Sequence, residues 1–430
     1  MSESFLHYLW QFQYFDKKEL KTTAGDNLVI FKSGILNSDA GPDFSQAKLN
    51  VDGIDWAGSV EIHIMSSGWI DHGHHHDQAY ENVVLHVVWE EDKPIYRNDG
   101  TSLPTLALKG RVDEQLMTKY QKLINNASVI PCEHSFRKTD SLLKLSMIDK
   151  ALMKRLEDKA NRVSSWLNQN NGDWEETAYQ LLAANFGFKV NKEPFLQLAK
   201  ALPYKIIQKH RDQPLQIEAL VFGQAGFLVT KNKDEYITKL FREYEFLSRK
   251  YSLQSSQMNP AQWKYLRLRP ANFPTLRLAQ FATLLHSRKN IFSNLIEVVS
   301  HKDLQQFFEL TPSAYWQTHY RFGKKAKRLV YNFGEESTNT VIINSVVPLL
   351  VAYGRSNDDW SFVDRAVNIL QQVPTEKNRV VTLWKDLGYT SKSAFDSQGL
   401  IELYQNFCQS RQCLNCVIGS SILKPSTFDT

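Results

Sequence analysis

The chain has 430 residues, 42% of them hydrophobic and 23% charged, which is enough apolar side chain to fill two or three ordinary cores without cross-links. Four cysteines in this length make a secreted disulfide framework a poor reading, and no stretch approaches the ~20 consecutive apolar residues that a bilayer requires. The formal net charge of +5 hides an asymmetry: residues 1–140 carry 13 Lys+Arg against 20 Asp+Glu (−7), which leaves 38 against 26 (+12) for residues 141–430.

The N-terminus carries Glu3, no basic segment, and an apolar face broken by His7, Gln11 and Gln13; it lacks the pattern of a secretory signal, and a cytoplasmic location is expected. Apolar residues at helical intervals over 4–15 predict a capping helix. Five runs rich in Val, Ile and aromatics then predict strands at 28–31, 44–51, 54–64, 83–89 and 103–108. Between the third and fourth runs lies a polar segment, 69–80, with room for a loop or about two helical turns. Six of the 12 histidines (His63, His72, His74, His75, His76 and His86) fall between 63 and 86. After Pro131 amphipathic helices follow one another, including 142–167, 174–185, 234–251 and 340–353, with no convincing strand among them. The expected fold is an α/β N-terminal module over residues 1–130, a mixed sheet with flanking helices, followed by a large basic all-α domain over 131–430. An acidic, His-rich module followed by a basic one suggests a cation site and a platform for polyanions such as nucleic acid; two solvated surfaces of opposite sign explain the charges equally well.

The chemistry-bearing residues of the module are Asp43, in Gly41-Pro42-Asp43-Phe44, and Glu61 with His63, in Val60-Glu61-Ile62-His63. Whether the two carboxylates share a face depends on the connection Asn50-Val51-Asp52-Gly53-Ile54. A three-residue loop with a bulge puts Asp43 opposite Glu61, whereas a two-residue turn at Asp52-Gly53 puts it opposite Ile62. Shared placement therefore requires the bulged turn, or a compensating bulge at Gly58. Two converging carboxylates attract a hard cation, Mg²⁺ or Mn²⁺, which can activate water for phosphodiester hydrolysis; otherwise they are half-exposed strand residues. His63 can ligate metal or carry a proton. His72 and His76 fall on one face if 70–80 is helical, with Asp77 beside them, a pair suited to zinc. His86, inside an apolar run, is either a hydrogen-bonded core histidine or a support for the site. His74 and His75 are expected to face solvent.

This Pro-Asp strand followed by Glu-x-His resembles the PD-(D/E)XK nuclease superfamily, whose hairpin carries Pro-Asp and then acidic-x-Lys around a divalent metal. His63 stands at the Lys position and departs from that pattern. Taken with Asn37–Phe44, Gly58–His63, Trp69-x-x-His72-x-His74, Asp77-x-x-Tyr80 and Asn82–Val88, and with the later blocks Arg267–Pro274, Arg277–Phe281 and Cys413–Gly419, the chain also resembles, over nearly its full length, the bacterial domain of unknown function family 2851. That family name implies no activity.

Cys408, Cys413 and Cys416, joined by Cys132, form a candidate four-thiolate site for structural zinc or an iron–sulfur cluster; free buried thiols are the other reading. Trp263, Arg267, Arg269, Arg277, Lys324, Lys325, Lys327 and Arg328 mix cations with an aromatic ring, as a single-strand nucleic-acid surface does, although Lys324 to Arg328 suit a solvated helix face equally. The leading expectation is a metal-dependent nuclease or nuclease-like protein. The alternatives are a non-catalytic nucleic-acid or protein scaffold, and a transition-metal hydrolase built on His72, His76 and Asp77.

Overall fold

The computed structural model describes residues 1–37, 39–228 and 234–424. The chain forms two compact units, Met1–Met147 with Leu403–Thr430, and Ile148–Glu402. This differs from the division near residue 130 that the helical pattern suggests. Past Pro131 a short helix buries Phe136, and the C-terminal segment returns to place Cys413 and Leu423 in the core of the first unit. Helical periodicity says which face of a segment is apolar, not which core receives it.

The first unit opens with α1 (Glu3–Phe12), capped by Ser2, whose side chain accepts from the Phe5 amide. Its face of Phe5, Leu6, Leu9 and Trp10 is fully buried. Strands follow as β1 (Leu28–Lys32), β2 (Ile35–Leu36), β3 (Phe44–Val51), β4 (Ile54–Met65), β5 (Val83–Glu90) and β6 (Thr105–Ala107), close to the runs expected apart from the short β2. The sheet order is β1-β3-β4-β5-β6, with β2 also on β3. The β1–β3 and β3–β4 pairs are antiparallel, and β4–β5 and β5–β6 are parallel. Alternation along β4 and β5 sends Val60, Ile62, Leu85 and Val87 into the core shared with α1. Glu61, His63 and His86 therefore fall on the opposite face.

The phase of the β3–β4 hairpin decides where Asp43 lies. The turn is the two-residue one: Val51 pairs with Ile54, and Asp52 and Gly53 both have positive φ, 47° and 87°, the type I′ geometry that Asp-Gly favours. The correction comes further along the hairpin, on the other strand from Gly58. Ala47 pairs with Gly58 but Phe44 pairs with Val60, so β3 holds one extra residue, and Gln46 takes a left-handed φ of 57°. Gly58 is needed for a different reason, since a Cβ there would lie 2.4 Å from the Asn82 carbonyl oxygen of the neighbouring chain segment. The bulge carries Asp43 back opposite Glu61.

The second unit is helical around one apolar core, and its run Glu335–Ser356 is long and apolar enough to cross a membrane, but 72% of its apolar window is buried inside the protein. A small hairpin, His319–Arg321 with Lys324–Lys325, interrupts the helices, so Lys324 and Lys325 do not lie on the helix face considered for them; Gly323, at φ 68°, makes the turn.

The left-handed residue at the bulge gives a test. Gln46→Val should lower the unfolding free energy by about 1–2 kcal/mol, because a β-branched residue resists this conformation, while Gln46→Gly is neutral or stabilising. Urea unfolding of the two variants measures the difference.

Candidate metal centre

Local geometry holds Asp43 before its side chain meets any partner. The Asn37 amide donates to the carbonyls of Ala40 and Pro42, and its backbone N–H donates to the Asp43 carbonyl at 2.7 Å, which clamps the loop entering β3. The Asp43 backbone N–H then donates to Glu61 Oε2 at 3.1 Å, and Asp43 Oδ2 accepts from the Ile62 amide at 2.9 Å. Asp43 thus extends the β3–β4 ladder with its side chain. The same oxygen lies 3.2 Å from His7 Nε2 of α1.

From Glu61 the site grows into imidazoles. Glu61 Oε1 lies 3.2 Å from His74 Nε2 and 3.8 Å from His63 Nε2. His63 uses both ring nitrogens, Nδ1 at 2.9 Å from His86 Nε2 and Nε2 at 3.2 Å from His72 Nδ1. His86, the β5 neighbour of Glu61, is wholly buried, and its Nδ1 has no hydrogen-bond partner. Trp69 closes the floor with its ring 5.5 Å from that of His86 and 5.4 Å from that of His74, and Tyr80 stacks on His74 at 3.8 Å.

The segment between β4 and β5 brings His72 and His74 in because it breaks where helical periodicity would continue. Ser66 bonds Asp92 and Lys93 and anchors the start of α2 (Gly68–Asp71). Gly73, at φ 74°, ends that helix, and His74–His76 form a separate 3₁₀ turn. His72 and His76 therefore do not share a face; His76 and Asp77 are exposed, and the Asp77 carboxylate caps the next turn by accepting from the Ala79 amide. His74, expected in solvent, occupies the place considered for His76. Gly68 is required by His63, since a Cβ at that position would lie 2.7 Å from His63 Cδ2.

One nitrogen each from His63, His72 and His74 lie within 4.8 Å of one another, and this cluster could hold a metal ion. A tetrahedral ion bound at about 2.0–2.1 Å separates its ligands by roughly 3.3 Å, close to the 3.2 Å His63–His72 and His74–Glu61 spacings and the 3.8 Å His63–Glu61 spacing. His72 is exposed, so one side of the cluster opens to solvent. Electrostatics suit ligation as well. Burial, with His74 and His72 adding to it, holds the His63 imidazole down to about 4, and burial holds His86 down to about 3; His74 is lowered by burial too. Burial, reinforced by the Asp43 charge, pushes the Glu61 carboxyl up to about 8. At neutral pH without metal the Glu61–His74 contact therefore joins two uncharged groups and is no ion pair.

Thus Asp43, Glu61, His63, His72 and His86 come together, and the sequence reading missed His7 and the inward turn of His74. His7 had left a trace, a polar ring on the apolar face of α1. None of the four cysteines is in a disulfide. Burial and their mutual proximity raise the thiols of Cys132, Cys408 and Cys413, but among the described residues no three thiols lie within 4.8 Å of one another. Arg267, Arg269, Lys324, Lys325, Lys327 and Arg328 are exposed. Trp263 and Arg277 are not surface groups: Trp263 is 4% exposed and donates to the Ala225 carbonyl, and Arg277 is buried in the helical unit.

A model of a protein family of unknown function, DUF2851, matches residues 3–379, and the chain belongs to that family. The match takes in the whole histidine cluster and stops short of Cys408, Cys413 and Cys416. No curated protein and no solved structure matches the chain.

The shifted groups fix a pH dependence for the metal-free protein. A carboxyl raised from 4.5 to about 8 loses stability as pH climbs through that interval, because the unfolded chain gives up its proton first. His63 and His86, lowered from 6.5 to about 4 and about 3, act in the opposite sense, and their contribution is lost as pH falls below 6.5. Above pH 6.5 the histidine slopes are exhausted. The Glu61 slope is then opposed by that of Lys159, whose ammonium is lowered by burial from 10.5 to about 7, so that its contribution to stability rises as pH climbs past 7. In chelator-treated protein, Glu61→Gln removes the falling component. The change in melting temperature from pH 6.5 to pH 8 should therefore be more positive in Glu61→Gln than in wild type, as thermal scans at the two pH values measure.

Proposed function

We propose that this protein is a metal-dependent hydrolase of phosphodiester bonds, a nuclease acting in the cytoplasm, whose ion is held by His63, His72 and His74 with Glu61 as the fourth donor. The observation that carries the reading is the 3.2 Å approach of His63 Nε2 and His72 Nδ1 beside a buried carboxylate. Three imidazoles and one carboxylate favour zinc, a borderline ion, over the magnesium or manganese that two carboxylates alone would suggest, and manganese is the nearer of those two to this donor set. Such an ion supplies Lewis-acid polarisation of a phosphoryl oxygen and a water acidic enough to ionise near neutral pH.

The protein groups divide the remaining work. With its Nε2 as a ligand, His63 would carry its proton on Nδ1 and donate it to His86 Nε2, 2.9 Å away, which would fix the ring's orientation. Asp43, anchored by the Ile62 amide, orients His7 Nε2 in the carboxylate–imidazole pairing that prepares a ring for proton transfer. Likeness to the PD-(D/E)XK hairpin supports a phosphodiester substrate, with exposed Arg267, Arg269, Lys324, Lys325, Lys327 and Arg328 as nucleic-acid contacts. The second reading, a non-catalytic scaffold, is favoured by one observation, the imidazole of His63 where that superfamily has a lysine. For Cys132, Cys408, Cys413 and Cys416, which lie in one unit where burial raises the Cys132 and Cys408 thiols, structural zinc and an iron–sulfur cluster are equal candidates.

Hydrolysis of labelled single-stranded and duplex DNA and RNA with Zn²⁺ or Mn²⁺ tests the proposal. Cleavage should fall at least ~100-fold (about 2.7 kcal/mol in barrier) in Asp43→Ala and His72→Ala. Metal analysis should show the ion lost in His72→Ala and retained in Cys413→Ser. Equal cleavage by wild type and Asp43→Ala would discard the enzyme reading, and bound metal without cleavage would favour the scaffold.

A further inference from the structure

The helical unit buries a cation that has no counter-ion among the described residues. Arg277, in the helix Pro274–Ser287, is 6% exposed, and its guanidinium lies between the rings of Phe188, 4.5 Å from the centroid, and Phe333, 5.1 Å. Its hydrogen-bond partners are all neutral: Gln280 Oε1 at 2.9 Å, Asn272 Oδ1 at 2.6 Å and Ser337 Oγ at 2.8 Å. Its Nε–H, enclosed, has no acceptor. A guanidinium cannot escape by losing its proton, so a buried one without an anion is costly.

Arg277 also lines a cleft of about 250 Å³, together with Phe188, Asn272, Ser337 and Thr340. The acceptors around the guanidinium are all spent on it. Asn272 and Ser337 give their oxygens to Arg277, which leaves the amide N–H groups of Asn272 and the hydroxyl proton of Ser337 without acceptors of their own. What remains at this end of the cleft is a set of donors beside a positive charge. Phe188 reaches the guanidinium from a left-handed backbone, φ 47°, a conformation that a bulky residue holds only under constraint. Glu336 is the one carboxylate in the lining; it is exposed and lies 3.8 Å from Lys377.

We propose that this cleft binds the phosphate group of a small organic phosphate, with Arg277 as the counter-ion and Ser337 and Asn272 as further donors. The donors left over, set beside a guanidinium that meets no anion among the described residues, suit the terminal oxygens of a phosphate. Phe188, Val190 and Leu268 offer an accessible apolar wall for the rest of the ligand. The site is independent of the histidine cluster.

The test uses the full chain with adenosine monophosphate, inorganic phosphate and benzoate, each titrated against chloride at constant ionic strength by calorimetry and thermal shift. Adenosine monophosphate and inorganic phosphate should compete for one site and raise the melting temperature. Ser337→Ala, at a half-exposed position, should weaken both at least ~5-fold, and Arg277→Gln should abolish binding. Ser337→Ala carries the test if Arg277→Gln does not fold. Binding of neither phosphate, binding unchanged in Ser337→Ala, or benzoate binding as tightly as phosphate would overturn the proposal.

Discussion

One extra residue in the interior β3–β4 hairpin sets which polar side chains meet in the first unit. With the tight Asp52–Gly53 turn alone, Asp43 would face Ile62, and its carboxylate would fall out of phase with Glu61 and His63. The bulge at Gln46 restores the phase, and the Asp43 carboxylate then closes onto the Ile62 amide while its backbone binds Glu61. Placement of His7 follows, because α1 packs its apolar face on the core side of the same sheet and reaches Asp43 from its end.

The cluster that results is expensive as a purely structural device. Glu61 is 5% exposed and His63 2%, so each is taken from water, and their neighbours do not repay it with charge. Neither His86 Nδ1 nor His74 Nε2 has a hydrogen-bond partner among the described residues. Burial of polar groups with incomplete hydrogen bonding costs stability, and one divalent ion in the gap would convert several poor contacts into coordinate bonds while lowering the carboxyl pKa. Arg277 poses the same problem with the sign reversed, a buried cation whose surroundings supply only neutral acceptors. In both places unsatisfied polar groups are what the proposed ligands would satisfy.

Much of the architecture was legible because it is local. The Val- and Ile-rich runs give the strands and the apolar face of α1 marks a covering helix, while the sequence leaves the Asn50–Ile54 connection open between a tight and a bulged turn. The bulge was not legible, since a glutamine carries no left-handed signature and the compensation was sought at Gly58. His74 was misplaced because 70–80 was weighed as one helix, although Gly73 is the residue type that stops one. Trp263 and Arg277 read as surface groups because alternation of cations and aromatics looks alike on a nucleic-acid platform and in a core that packs guanidinium on phenylalanine. The union of Cys132 with Cys408, Cys413 and Cys416 in one unit follows from a chain return that no periodicity announces.

The most direct test of the central claim is anomalous diffraction from crystals of protein loaded with zinc or manganese. A single peak about 2.0–2.2 Å from a nitrogen of each of His63, His72 and His74, with Glu61 completing the shell, is the predicted result. Density without a peak among these imidazoles, or with metal bound only at the cysteines, would contradict it.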